Sequence, residues 1–187
     1  MRKDIKGVLK EAMLNHQLVA TYLDSSNMSL CLVGYVDAID NTKVRFRALS
    51  FAGKKAGYEI RSLKEIYRVD VDTFYLRKID FLQKNRGQIF SEIDLIQPAE
   101  NSDILFSTLR EAKDKRVIVI LWTEDKDESI VGYVESLTPQ TVQILSIDDY
   151  AREDGFVVIN INEIVSADCN TRNEQILRFL HDKGFGN

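Results

Sequence analysis

The stretch GYVDAIDNTKVRFRAL at residues 34–49 has a partner 98 residues downstream, GYVESLTPQTVQILSI at residues 132–147. Both open with Gly-Tyr-Val, break at a polar turn, and resume as an alternation of apolar and polar residues with the period of a strand. Repetition is the first thing to settle in a fold assignment, because missing it misreads the whole architecture. With the shift held at 98, positions 34–82 align with 132–180 without a gap, and 11 of those 49 pairs are identical, against about three expected from composition. The identities include Gly34/Gly132, Gly57/Gly155, Asp70/Asp168, Thr73/Thr171 and Leu82/Leu180. Upstream the shift becomes 100 and pairs Leu9/Leu109, Glu11/Glu111, Ala12/Ala112 and Val19/Val119. The chain reads as one unit written twice.

Within each copy the pattern is a helix, five short strands and a helix. Ile5, Val8, Leu9 and Ala12 recur at helical spacing, as do Ile104, Leu105, Leu109 and Ala112 behind the cap Asp103. Leu18–Leu23 and Arg116–Thr123 read as first strands, followed by polar loops at 24–27 and 124–128. Gly34 and Gly132, inside the second strands, predict a bend or bulge that curls the sheet. Third strands span Lys43–Leu49 and Thr141–Ile147; loops ending at Gly57 and Gly155 lead into a fourth. A short turn at 63–65 or 161–163 precedes the last strand, Ile66–Val71 or Ile164–Cys169. Closing helices start at Thr73 and Thr171, the second with the capping-box spacing Thr171 to Glu174 and Gly184 to stop it.

This order, with a sharp turn between the last two strands, resembles the SH3-like or Sm-like small barrel, and Tyr58-Glu59-Ile60-Arg61-Ser62-Leu63 is similar to the second Sm signature. Ser62 stands where Sm proteins carry glycine. The opening helix followed by a strand ending in the aromatic Tyr22 is also similar to the Sm-like WYL sensor domains, without the tripeptide that names them. The resemblance implies two tandem five-stranded barrels, mainly β, each with flanking helices. It carries over no RNA- or ligand-binding residues, since fold does not imply function.

The expected organisation is a first repeat at 1–84, a linker at 85–102 and a second repeat at 103–187. Gly87, Pro98 and the run from Glu100 to Asp103 are turn and helix-start signals. Ile89, Phe90, Ile93, Leu95 and Ile96 make the linker too apolar for a free tether, so it should pack as an extra strand or brace.

Of 187 residues 44% are apolar and 29% charged, enough to bury a core. No run approaches the roughly 18 to 20 apolar residues of a membrane span, and Arg2, Lys3, Asp4 and Lys6 open the chain without a signal-peptide pattern. Cys31 and Cys169 stand far apart without metal-ligand spacing. The expectation is a cytoplasmic protein with reduced thiols, no metal and no cofactor. Phosphate loops, dinucleotide fingerprints and nucleophile elbows are absent, and neither His16 nor His181 has a patterned partner. Asp148, Asp149, Glu153 and Asp154 lack the spacing of a calcium loop and read as a solvated acidic loop. No enzyme is expected.

Charge separates the halves. Residues 1–100 hold 16 Lys and Arg against 13 Asp and Glu, while residues 101–187 hold 9 against 16. In the third strand of the first copy, period two places Lys43, Arg45 and Arg47 on one face, with Arg61 in the next strand expected to widen the stripe. These four are the candidate nucleic-acid or anion-binding residues, with Tyr58 and Phe51 near enough in sequence to stack on bases. In the second copy Thr141, Gln143 and Leu145 replace the stripe, and Val157 and Ile159 replace Glu59 and Arg61. Phe156 to Ile159 is then apolar on both faces, which makes Leu145, Val157 and Ile159 the candidate protein interface. The expected function is a non-enzymatic binding or adaptor protein with a protein partner or self-association. RNA binding through the basic face is the alternative, and a small-ligand sensor is a third reading.

Overall fold

The computed structural model describes residues 4–26, 31–100, 102–124 and 129–186; the loop expectations at Asn27 and 125–128 lie outside them. The protein is mainly β and forms two units, residues 1–86 and 87–187. Unit one runs α1 (Ile5–Leu14), β1 (Leu18–Tyr22), β2 (Cys31–Ile39), β3 (Lys43–Leu49), β4 (Lys55–Ser62), β5 (Arg68–Val71) and α2 (Phe74–Lys84). Unit two runs α3 (Ile104–Asp114), β6 (Ile118–Thr123), β7 (Ser129–Leu137), β8 (Thr141–Ile147), β9 (Glu153–Asn160), a 3₁₀ turn at Ile161–Glu163, β10 (Ile164–Cys169) and α4 (Arg172–Asp182).

In unit one, Asp4 caps α1 by accepting from the Gly7 amide at 2.7 Å, and Thr73 caps α2 by accepting from the Leu76 amide at 3.2 Å. The two helices cover opposite faces of one antiparallel sheet. Leu9 and Ala12 of α1 pack with Val19, Val36, Val44, Phe46 and Ile66, while Leu76 and Ile79 of α2 pack with Leu18, Ala20, Val33 and Leu49. β1, the strand between them, is therefore buried on both faces.

Unit two repeats the arrangement. Leu109 and Ala112 of α3 pack with Val119, Leu121, Val134, Val142 and Ile144. Thr171 and Glu174 form the capping box of α4. The helix ends at Gly184 (φ +63°), where the Phe185 amide donates to Leu180 O at 3.0 Å and the Gly184 amide to His181 O at 2.9 Å.

The sheets are open, which corrects the expectation of closed barrels. Their strand orders are β4-β3-β2-β1-β5 and β10-β6-β7-β8-β9, and no ladder joins β4 to β5 or β9 to β10. Helices, not closure, bury the apolar faces of the inner strands.

The strand glycines also act differently from expectation. A Cβ on Gly34 would lie 2.6 Å from Arg47 O, and one on Gly132 2.0 Å from Leu145 O. Glycine is there because the neighbouring backbone comes close. The bulges fall three residues later, at Asp37 and Glu135, which are the extra residues in the β2–β3 and β7–β8 ladders. Positive φ recurs at shifted positions too: His16 and Arg116, Gly53 and Ala151, Gly57 and Gly155, Asp72 and Asn170.

Residues 87–102 group with unit two, and those of them that are described hold no strand. Ile89 is buried and Ile93 packs on the α3 core. Their backbone meets side chains: the Ser91 amide donates to Gln175 Oε1 at 3.1 Å, Asn170 Nδ2 donates to Ile93 O at 3.3 Å, and Lys115 Nζ donates to Asp94 O. The segment is a brace, because its partners are side-chain groups with no strand periodicity.

Candidate binding surfaces

β3 alternates as its sequence predicts: Lys43, Arg45 and Arg47 are exposed, and Val44, Phe46 and Ala48 are buried. The stripe is not free charge, however. Asp37, turned out by the bulge, accepts from Arg45 Nε at 2.7 Å and lies 3.5 Å from Arg47 Nε. Arg45 also stacks over the Tyr58 ring at 5.5 Å, and Arg47 over Tyr35 at 5.7 Å. The Tyr35 hydroxyl donates to Asp80 Oδ1 at 2.8 Å and lies 2.9 Å from Gln83 Oε1, both on α2. Burial first, and then the Asp80 bond, push its pKa up.

Arg61 does not join the stripe. The β3–β4 register places it opposite Val44, on the inner face, whereas Tyr58 stands opposite Arg47 and Ile60 opposite Arg45. Its guanidinium pairs with Glu59 and donates to Ile60 O at 3.0 Å. The sequence expectation that Arg61 widens the stripe is corrected by this register, in which the edge strand turns its charged residues inward and its apolar ones outward. Tyr58 and Ile60 are 67% and 59% exposed.

The same register corrects the interface residues. Val157 pairs with Ile144 and Ile159 with Val142, both core positions, and Ile159 packs on the α3 core. Leu145 is 8% exposed. The residues that face outward are the neighbours, Phe156 opposite Leu145 and Val158 opposite Gln143. An all-apolar strand hides its own parity, so only the alternation of its partner β8 could have assigned the faces.

The acidic loop is a locked turn. Asp148 Oδ1 accepts from the Tyr150 and Arg152 amides at 2.9 Å each, and Oδ2 accepts from Arg152 Nε at 2.8 Å. Burial raises its pKa, but the bonds from Arg152 and Tyr150 outweigh it and hold the carboxyl below the ordinary value. His16 is exposed, as read from sequence. His181 instead has partners: its Nδ1 lies 3.4 Å from the Tyr133 hydroxyl and its Nε2 3.3 Å from Glu153.

Cys31 and Cys169 are free thiols; burial pushes both up, Cys169 to about 11 with help from the Glu174 charge. That leaves little thiolate near neutral pH. Among the described residues no cluster of three or more His, Cys, Asp or Glu could hold a metal, and no helix is long and apolar enough to cross a membrane. Compared with known protein families, curated proteins and solved structures, the chain shows no significant match.

Proposed function

We propose that this chain is a non-enzymatic protein-binding module, built from a duplicated helix–sheet–helix unit, that takes up a partner along β9. The observation carrying the reading is the outward pair Phe156 and Val158, 62% and 64% exposed on an edge strand. From Gly155 to Ile159 β9 holds no charge, whereas β4, at the shifted position, holds Glu59 and Arg61. Edge strands of proteins that stay apart carry charge or proline; an uncharged apolar edge suits strand addition.

The first partner to test is a second copy. Antiparallel pairing of two β9 strands sets Glu153 and Asp154 against the Asn160 end, not against like charge. Sedimentation velocity should show a dimer at about 100 µM, and Val158→Lys should return it to monomer. A wild type monomeric at that concentration, or a dimer that Val158→Lys leaves intact, would count against the reading.

A second reading, single-stranded RNA on the first unit, is favoured by Lys43, Arg45 and Arg47 sharing a face with the exposed Tyr58. Asp37 offsets part of that charge. Changing all three cations to Glu should abolish fluorescence-polarisation binding of a labelled oligouridine with the circular dichroism unchanged; equal affinity in the triple variant removes this reading.

A further inference from the structure

Unit one holds a cleft of about 370 Å³ where α2 meets the outer face of the sheet. Among the groups lining it are His16, Tyr35, Arg47, Lys55, Tyr58 and Gln83, and none of the described carboxylates lines it. Lys55 and His16 make no side-chain hydrogen bond or ion pair with the described residues, and Arg47 has its longer contact to Asp37. Tyr35 is held by Asp80 and Gln83, so one wall is rigid. Tyr58 offers a largely exposed ring backed by Arg45.

The shifted positions of unit two are Arg116, Tyr133, Leu145, Glu153, Phe156 and His181. There the polar groups satisfy one another. Arg116 stacks over Tyr133 at 4.9 Å, and His181 packs on the same ring at 5.2 Å and reaches Glu153. Tyr133 is 1% exposed and Leu145 fills the place of Arg47. Two replacements, Lys55 by Glu153 and Gln83 by His181, turn an unpaired lysine beside a partly paired arginine into a closed chain of partners. Arg47 and Lys55 converge on the cleft with Asp37, shared with Arg45, as their one carboxylate partner among the described residues, and that surplus of positive charge suits an anion.

The geometry points to a nucleoside monophosphate as the ligand of this cleft. Arg47 and Lys55, with His16, hold the phosphate; the base lies against Tyr58; the Gln83 amide meets the base edge. Two cations match a dianion better than a single carboxylate, and a flat heteroaromatic suits an exposed tyrosine face. The volume sits at the low end for ligand pockets, room for one small molecule.

The test is isothermal titration calorimetry of the full chain with each of the four common ribonucleoside 5′-monophosphates, and with inorganic phosphate and adenosine alone. At least one monophosphate should saturate below about 1 mM, with phosphate and adenosine each at least about tenfold weaker. Transplanting the second unit's residues, Lys55→Glu with Gln83→His, should weaken binding at least about tenfold, and Lys10→Gln, on the exposed side of α1 and outside the cleft, should not. Arg47→Gln, a milder change, should act in the same direction, with circular dichroism reporting that each variant folds. No saturation by any monophosphate up to about 5 mM would overturn the proposal. So would phosphate binding as tightly as the nucleotides, or affinity untouched by the double variant and by Arg47→Gln.

Discussion

A single missing side chain sets the spacing of two strands. Gly132 has Leu145 O where its Cβ would be, so Gly132→Ala must push β7 and β8 apart. Gly155 faces open space, and its constraint is only its φ of +79°, worth about 1–2 kcal/mol for a side chain. Gly132→Ala should therefore destabilise by more than Gly155→Ala, by over about 2 kcal/mol in urea unfolding; equal effects would show that β8 yields. Both glycines were visible in the sequence, but their different reasons were not. Close approach is a property of the neighbouring strand, and a positive φ is a property of the turn. Asp37 was equally hidden: a strand carboxylate looks solvated until a bulge brings it between two arginines.

At the scale of elements, helices and inner strands were legible because their patterns and caps agree. Asp103, Thr73 and Thr171 cap where the sequence puts caps, and β3, β8 and β10 have the predicted bounds. The edge strands were not. β4 turns Tyr58 and Ile60 outward and Glu59 and Arg61 inward, against the rule that apolar means buried. In β9 nothing in its own sequence marked a face. Sheet closure failed for a related reason: each strand pattern records which residues are buried, not whether a helix or another strand buries them. The substitution Val158→Lys addresses this directly, since it restores to β9 the kind of charge by which edges resist pairing. Its effect on sedimentation should exceed that of Val157→Lys only if parity is as described, because the Val157 change damages the core and would show as unfolding, not as a clean monomer.

For the whole molecule, the two units carry opposite charge: residues 1–86 hold 16 basic against 10 acidic residues, and residues 87–187 hold 9 against 19. A dimer through two β9 strands joins like-charged acidic units, so salt should tighten it by screening repulsion. A dimer pairing unit one with unit two would instead loosen. Sedimentation at about 20 mM and about 500 mM salt separates them by sign alone. The hairpin turn between the third and fourth strands of each unit has a further consequence. Ser50 and Lys54 share backbone bonds in the same pattern as Asp148 and Arg152, although not one residue from 50 to 54 matches its counterpart. The backbone there behaves as a standard fitting, and what differs is the room each unit leaves around it. An engineer could therefore splice residues 50–54 into the second unit, but not 148–152 into the first, because Ala151 would take the place of Gly53, where a Cβ lies 2.5 Å from Gln83 N.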